Sequence, residues 1–356
     1  MIFFILILLL IIFSAAKVSK PHEFNTDYID RDATNNIKGI FVLLILLSHA
    51  KNYFTLDGVY DEMYMAVQNH LNQMVVAMFL FYSGYGIMEQ IKKREFAYIK
   101  SIPTKRFPNL LLNFDIAVCL YIVLWLALGK TLTFSQILQG LTAWNGIGNS
   151  SWYIFVTFVL YIITCLSFFF IKWSDKRAVK FIGVVLVTAL TAVFIFVLMR
   201  YTAKERFWYN TAILYALGFW YSFFKEQIEK ALMKNDIIYF TVLALLTGGY
   251  IYTYLHRWDR FLTYEIWAIL FTLGIVLITM KVKIESNLLK WFGEHIFSIY
   301  ILQRIPMIIF TELGIAERHR YIFIIISIFL LLTFKKMIFF LLIYSFLNIN
   351  YLVVID

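Results

Sequence analysis

Residues 181–199 read FIGVVLVTALTAVFIFVLM, an uncharged run closed by Lys180 on one side and Arg200 on the other. A helix needs about 20 apolar residues to cross the hydrocarbon core of a bilayer, so this run reads as a membrane span. The pattern recurs along the chain. Candidate spans lie near 2–16, 38–56, 71–90, 108–129, 152–171, 181–199, 210–224, 237–255, 262–280, 291–311, 321–334 and 337–353. Of the 356 residues, 62% are hydrophobic and 15% charged. Soluble domains sit nearer half and a quarter. No water-soluble chain of this length has interior enough to hide so much apolar surface. The bilayer is therefore the solvent, and the fold class is an all-α polytopic membrane protein.

The net charge of +10 does not imply nucleic acid. Cytoplasmic loops retain Lys and Arg, and the distribution fits that rule. With the loop after the first span placed inside, the inner loops hold Lys17, Lys20, Arg31 and Lys38, then Lys92, Lys93, Arg94, Lys100, Lys105 and Arg106. Lys172, Lys176, Arg177 and Lys180 follow, then Lys225, Lys230 and Lys234, then Lys281, Lys283 and Lys290, and finally Lys335 and Lys336. These are some two-thirds of the 32 lysines and arginines. Residues 2–13 are apolar with no basic residue before them and Lys17 and Lys20 after, the reverse of a cleaved signal peptide. An uncleaved helix with its N-terminus outside is expected. Cys119 and Cys165 lie in apolar runs without a CxxC or Cys/His pattern and read as core residues. No metal site is expected. The prolines stand at 21, 103, 108 and 306, and Pro306 is expected to kink or end its helix. No repeat and no Pro/Gly/Ser-rich linker divides the chain.

Ionisable groups inside spans are expensive and mark functional candidates. They are His49, Glu89, Asp115, Glu265, Glu294, His295 and Arg304. His49 lies deep in its span, after an unbroken apolar run. A histidine hydrogen-bonded between helices is the alternative to a catalytic one. Walker, dinucleotide, HExxH and GxSxG patterns are all missing. The basic stretch from Lys92 to Arg106 reads as a topology signal or as a surface for phosphate. The segment TAWNGIGNSSWYIF (142–155) reads as an outer loop with an aromatic belt, or as a sugar-binding rim.

Four segments, in order, resemble the acyltransferase type 3 superfamily of integral membrane acyltransferases. NNIKGIFVLLILLSHAKNYF (35–54) is similar to its opening helix, with Lys38 near the cytoplasmic end and His49 at the family's catalytic histidine. FLFYSGYGIMEQIKKREFAYIKSIPTKRFPNLL (79–111) is similar to its Phe-rich stretch, Ser-Gly turn and basic loop, carried by Ser83, Gly84, Arg106 and Pro108. NSSWYIFVTFVLYII (149–163) resembles the family's small-residue-plus-Trp helix start, with Trp152, Tyr153 and Tyr161. FGEHIFSIYILQRIPMII (292–309) resembles its Gly-x-x-Ser helix, with Gly293, Ser298, Tyr300 and Gln303. The span at 2–16 and the stretch 335–356 depart from the usual pattern.

The resemblance implies a ten-helix acyltransferase core at 31–335. Residues 1–30 would add an N-terminal helix and a cytoplasmic linker, and 336–356 a hydrophobic C-terminal segment. It implies acetyl transfer from cytoplasmic acetyl-CoA, or another acyl-CoA, to a hydroxyl of a carbohydrate or lipid-linked glycan. His49 would be the general base. Arg106 would bind phosphate or polarise the thioester, and Lys38, Lys105, Tyr82 and Ser83 would line the donor site. Asn149, Trp152, Tyr300 and Gln303 would meet the acceptor. Asp115 and Glu265 are both open as a carboxylate partner for His49. No tightly bound cofactor is expected. The expected setting is the bacterial plasma membrane, with membrane lipids around the helices and polysaccharide-assembly proteins as companions. Exopolysaccharide, capsule and cell-wall glycan are candidate acceptors. The rival class is a transporter or flippase for a lipid-linked sugar or small solute, although neither inverted repeats nor mid-membrane breaks are evident.

Overall fold

The computed structural model describes residues 1–331 except 72, 172, 174 and 175. The chain runs α1 (Ile2–Ala15), β1 (Ala16–Val18), α2 (Arg31–Ala50), α3 (Asp61–Leu71), α4 (Met74–Ser101), α5 (Phe107–Ala127) and α6 (Phe134–Leu141). It continues with α7 (Trp152–Phe169), α8 (Lys176–Tyr201), α9 (Ile213–Leu232), α10 (Asp236–Leu255), α11 (Phe261–Lys281) and β2 (Val282–Ile284). Short helices α12 (Asn287–Glu294), α13 (Ile296–Leu302), α14 (Arg304–Glu312) and α15 (Ile315–Arg318) follow. The last described helix is α16 (Arg320–Leu331). Among the described residues, six helical stretches are long and apolar enough to cross a membrane: Arg31–Tyr53, Asp61–Ala127, Trp152–Phe169, Lys176–Tyr201, Asp236–Leu255 and Phe261–Lys281. Ile2–Ala15 and Arg320–Leu331 are shorter apolar helices. This is a multi-pass membrane protein. The expected span at 337–353, the end of that at 321–334, and the charges at Lys172, Lys335 and Lys336 lie outside the described residues.

The expected single helix at 291–311 is instead three pieces, α12 to α14, interrupted at His295 and Gln303. Pro306 accounts for the second break: it has no N–H to give and its ring crowds the carbonyl four residues earlier. A freed carbonyl inside a membrane needs another donor. The carbonyl that Pro306 leaves is that of Leu302, and next to it the Tyr121 hydroxyl of α5 donates to the Ile301 carbonyl at 2.9 Å. The basic segment is also broken. Helix α4 bends at Glu95, whose φ is +52°, and a wide turn at Ile102–Arg106 holding Pro103 joins it to α5.

Two helix crossings form the centre, α2 with α12 and α4 with α9. Both depend on reciprocal glycines that let backbones touch. A Cβ on Gly39 would lie 1.9 Å from the Leu289 carbonyl oxygen, and one on Gly293 would lie 1.9 Å from that of Asn35. In the second crossing, Gly84 abuts the Tyr215 carbonyl and Gly218 that of Phe81.

Sequence periodicity gave no sign of the two-stranded clip. β1 and β2 pair antiparallel, with Lys17 opposite Lys283. Lys17 reaches Glu285 at 2.5 Å and Lys283 reaches Asp27 at 2.7 Å. Lys17 and Lys283 hold the Glu285 carboxyl below the usual carboxylate range. On this same side lie Lys290–Asp32 and Lys176–Glu95, each 2.7 Å. A second group of distant loop contacts joins Arg320 to Asp61 at 2.6 Å, Lys130 to Glu312 at 2.9 Å, and Lys204 to Asn145 at 2.8 Å. The two groups coincide with the inner and outer loops assigned from Lys and Arg alone, and none of these contacts joins one group to the other.

Candidate active site

Helix α2 carries Lys38 near its start and His49 in its last turn. At a 1.5 Å rise per residue they are about 16 Å apart along the axis. Each opens on its own cavity.

The His49 cavity measures about 390 Å³. Its walls include Ser48 of α2, Gln68 of α3, Gln73, the loop residues Asn149, Ser150 and Ser151, Trp152 at the start of α7, and Tyr300 and Arg304. The His49 Nε2 faces the Ser150 Oγ at 3.5 Å, and its Nδ1 has no hydrogen-bond partner. The ring sits 6.2 Å from that of Tyr300. The Asn149 Nδ2 and the Arg304 Nε are buried donors without acceptors. The Tyr300 hydroxyl lies beside Ser150 but completes no well-formed hydrogen bond. Buried polar atoms are seldom left unpaired, so this concentration around one cavity is informative. The loop that carries Asn149 and Ser150 is anchored from outside. Lys204 lies 4.1 Å from the Trp144 ring and 4.0 Å from the Trp208 ring, and burial between them lowers its pKa.

The second cavity, about 730 Å³, is basic. Lys38, Arg94, Lys105 and Arg106 line it, with Tyr82, Ser83, Tyr98, Ser101, Tyr153 and Tyr161. Among the described residues, no carboxylate lines it. The bend at Glu95 and the wide turn at Ile102–Arg106 lead the chain round this space, and Arg106 stands at the head of α5. Its guanidinium is 5.4 Å from the Tyr98 ring, and the Lys38 ammonium is 5.6 Å from that of Tyr82. Such a set suits a polyanion with an apolar arm.

The two cavities meet at Tyr300, which lines both. Its ring stacks edge-on against Tyr153 at 5.6 Å, and Tyr153 in turn meets Phe79 at 6.4 Å. Tyr300 is thus a wall common to a basic chamber and a chamber holding an imidazole. Both volumes fall in the range of small-molecule sites.

The structure thus brings His49, Asn149, Trp152 and Tyr300 together, and separately Lys38, Tyr82, Ser83, Lys105 and Arg106. Gln303 lines neither cavity: it is buried and donates to the Tyr300 carbonyl at 2.9 Å, fastening the break between α13 and α14. Asp115 and Glu265 line neither cavity, and neither is hydrogen-bonded to His49, whose Nδ1 is unpartnered. Both Glu265 oxygens and the Asp115 Oδ1 lack partners of their own. Sequence reading did not single out Ser150 or Tyr98, named Arg94 only within the basic stretch from Lys92 to Arg106, and gave Arg304 no role. For Arg304 the signal was present: an intramembrane arginine one helical turn beyond Tyr300.

A family profile described as an acyltransferase domain, that of the acyltransferase type 3 superfamily, matches residues 31–344, most of the chain. No curated protein and no solved structure matches it.

Proposed function

The chain belongs to the acyltransferase type 3 superfamily, and on that premise we propose that this membrane acyltransferase moves acetyl from cytoplasmic acetyl-CoA to a hydroxyl of a cell-surface carbohydrate. The observation that carries the reading is the pair of cavities joined at Tyr300. Among the described residues, one is lined by several cations and no anions, the other by a histidine, amides, tryptophan and a single arginine. The basic chamber lies on the side assigned to the cytoplasm, where acyl-CoA is found. Lys38, Arg94, Lys105 and Arg106 bind its phosphates by charge-assisted contacts. Tyr82 and Ser83 line the way of the acyl-bearing arm towards Tyr300.

The acceptor enters the His49 chamber from the outer side. Trp152 offers a ring face, and Asn149 and Tyr300 offer hydrogen bonds. A sugar hydroxyl is a poor nucleophile until a base takes its proton, a contribution of about 10²–10⁴ in rate. His49 is that base. In the net reaction the thioester C–S bond breaks and a C–O ester bond forms. The proton passes from the hydroxyl through His49 to the departing thiolate. The acceptor is a free or lipid-linked glycan of a bacterial exopolysaccharide, capsule or cell wall, and polysaccharide-assembly proteins are the companions this implies.

The test uses full-length protein in nanodiscs. Thiol release from acetyl-CoA is followed with glycan fractions as acceptors, for wild type, His49→Ala and Arg106→Gln. The reading expects acceptor-dependent release that His49→Ala abolishes and for which Arg106→Gln demands more acetyl-CoA. Glycan movement across vesicles without thiol release would favour the flippase instead.

A further inference from the structure

The His49 chamber contains a nucleophile that the base alone does not explain. Ser150 is buried, and its hydroxyl is the group that faces the His49 Nε2. A hydroxyl beside an imidazole is the activated-nucleophile arrangement, and the separation of 3.5 Å is of the looser kind expected before substrate binds. Around this pair stand donors with nothing to donate to: the Asn149 Nδ2 and the Arg304 Nε, with the Tyr300 hydroxyl beside Ser150. Ser150 also directly precedes Ser151, the N-cap of α7. Unpaired donors lining the same chamber as that serine are what stabilising a tetrahedral oxyanion on it would call on. No such need exists for a structural serine, which would be satisfied by a single partner.

We propose that Ser150 is a covalent acyl carrier, so that donor and acceptor use the chamber in turn. The proposal rests on the acetyltransferase reading and deepens it. In the first half-reaction the Ser150 Oγ attacks the thioester carbonyl as its proton passes to the His49 Nε2. Asn149, Tyr300 and Arg304 hold the oxyanion, the C–S bond breaks, and the thiolate leaves with the proton from His49. In the second, the acceptor hydroxyl gives its proton to His49 and attacks the acetyl-serine. The acyl–Oγ bond then breaks, and Ser150 regains its proton from the imidazole. With Nδ1 unpartnered, Ser150 and His49 act as a dyad without a carboxylate. The arrangement also removes any need for the polyanionic donor and the glycan to be held on the two sides of Tyr300 at the same moment.

The experiment treats full-length protein in nanodiscs with radiolabelled acetyl-CoA and no acceptor, quenches in acid, and maps the label by peptide mass. Expected is an acid-stable, base-labile acetyl on the peptide holding Ser150, absent from Ser150→Ala and His49→Ala. Transfer to acceptor falls at least ~10³-fold in Ser150→Ala. Ser150→Cys keeps nearly the same volume and decides the matter if the alanine variant is unstable: its label becomes a thioester cleaved by neutral hydroxylamine. Label on His49, turnover with no covalent label, or Ser150→Ala at wild-type rate would each overturn the carrier while leaving the acetyltransferase reading in place. A wild-type protein that releases no CoA under any acceptor would overturn that reading and the carrier with it.

Discussion

At the residue scale, His49 is set apart by its surroundings rather than by its type. His70 is satisfied by the Tyr250 hydroxyl at 2.7 Å and His295 by the Trp291 carbonyl at 2.6 Å. The His49 Nδ1 has no partner and its Nε2 faces only a serine at the limit of reach. Replacing His49 by Ala is expected to lower transfer by about 10²–10⁴ with the protein still folded, read by single-turnover acetyl transfer and by melting in detergent. Arg106→Gln acts at the other end. It is expected to raise the KM for acetyl-CoA roughly tenfold, the loss of about 1.4 kcal/mol of phosphate binding, while the rate at saturation changes little. His49 was legible because a histidine deep in an apolar run requires a reason. Ser150 was not, since serine in a loop is ordinary until its distance to His49 is known. The proposed carboxylate partners illustrate the limit. Asp115 and Glu265 were named because each is an acid within a span, and the folded helices place neither against the imidazole.

At the element scale, the motif residues divide by physical role. Ser83 and Gly84 are adjacent in sequence, yet Ser83 lines the basic cavity and Gly84 lets α9 approach α4. Gly293 likewise belongs to packing. A Gly293→Val substitution is expected to destabilise by at least about 1–3 kcal/mol, because its Cβ would meet the Asn35 carbonyl oxygen 1.9 Å away. Gly248→Ala, where nothing lies within 4 Å of a new Cβ, should melt at or slightly above the wild-type temperature. Thermal melting of the two variants side by side checks both. Tyr121→Phe removes the donor to the Ile301 carbonyl and should lower stability by about 1–2 kcal/mol, with the loosened break at Gln303 visible as faster hydrogen exchange in α13 and α14. The sequence signalled a disturbance here through Pro306, but not that the helix would divide into three. That depends on which carbonyl another helix can satisfy.

At the scale of the whole molecule, the class was readable from composition, and Lys and Arg placement leads to an expected alternation of loops. The ion pairs between distant loops described above each join loops that this expectation assigns to one side. The clip of β1 on β2 was not readable, since three-residue strands carry no periodicity. It brings Lys17 and Lys283 opposite each other. In a background lacking Cys119 and Cys165, Lys17→Cys with Lys283→Cys is expected to form a disulfide under mild oxidation, because cross-strand pairs fall within disulfide reach. A single cysteine at Lys283 should be labelled by an impermeant maleimide only in inside-out vesicles, and one at Lys130 only in right-side-out cells. Labelling of both from one side would contradict the alternation.

The central claim joins these scales: a histidine chamber facing outward takes acetyl from a basic chamber facing inward. The most direct test is base-released acetate from the glycans of cells carrying the intact gene, a deletion, or His49→Ala at matched membrane abundance. The account predicts that acetate falls equally in the deletion and in His49→Ala. Glycan acetate unchanged in both would contradict it.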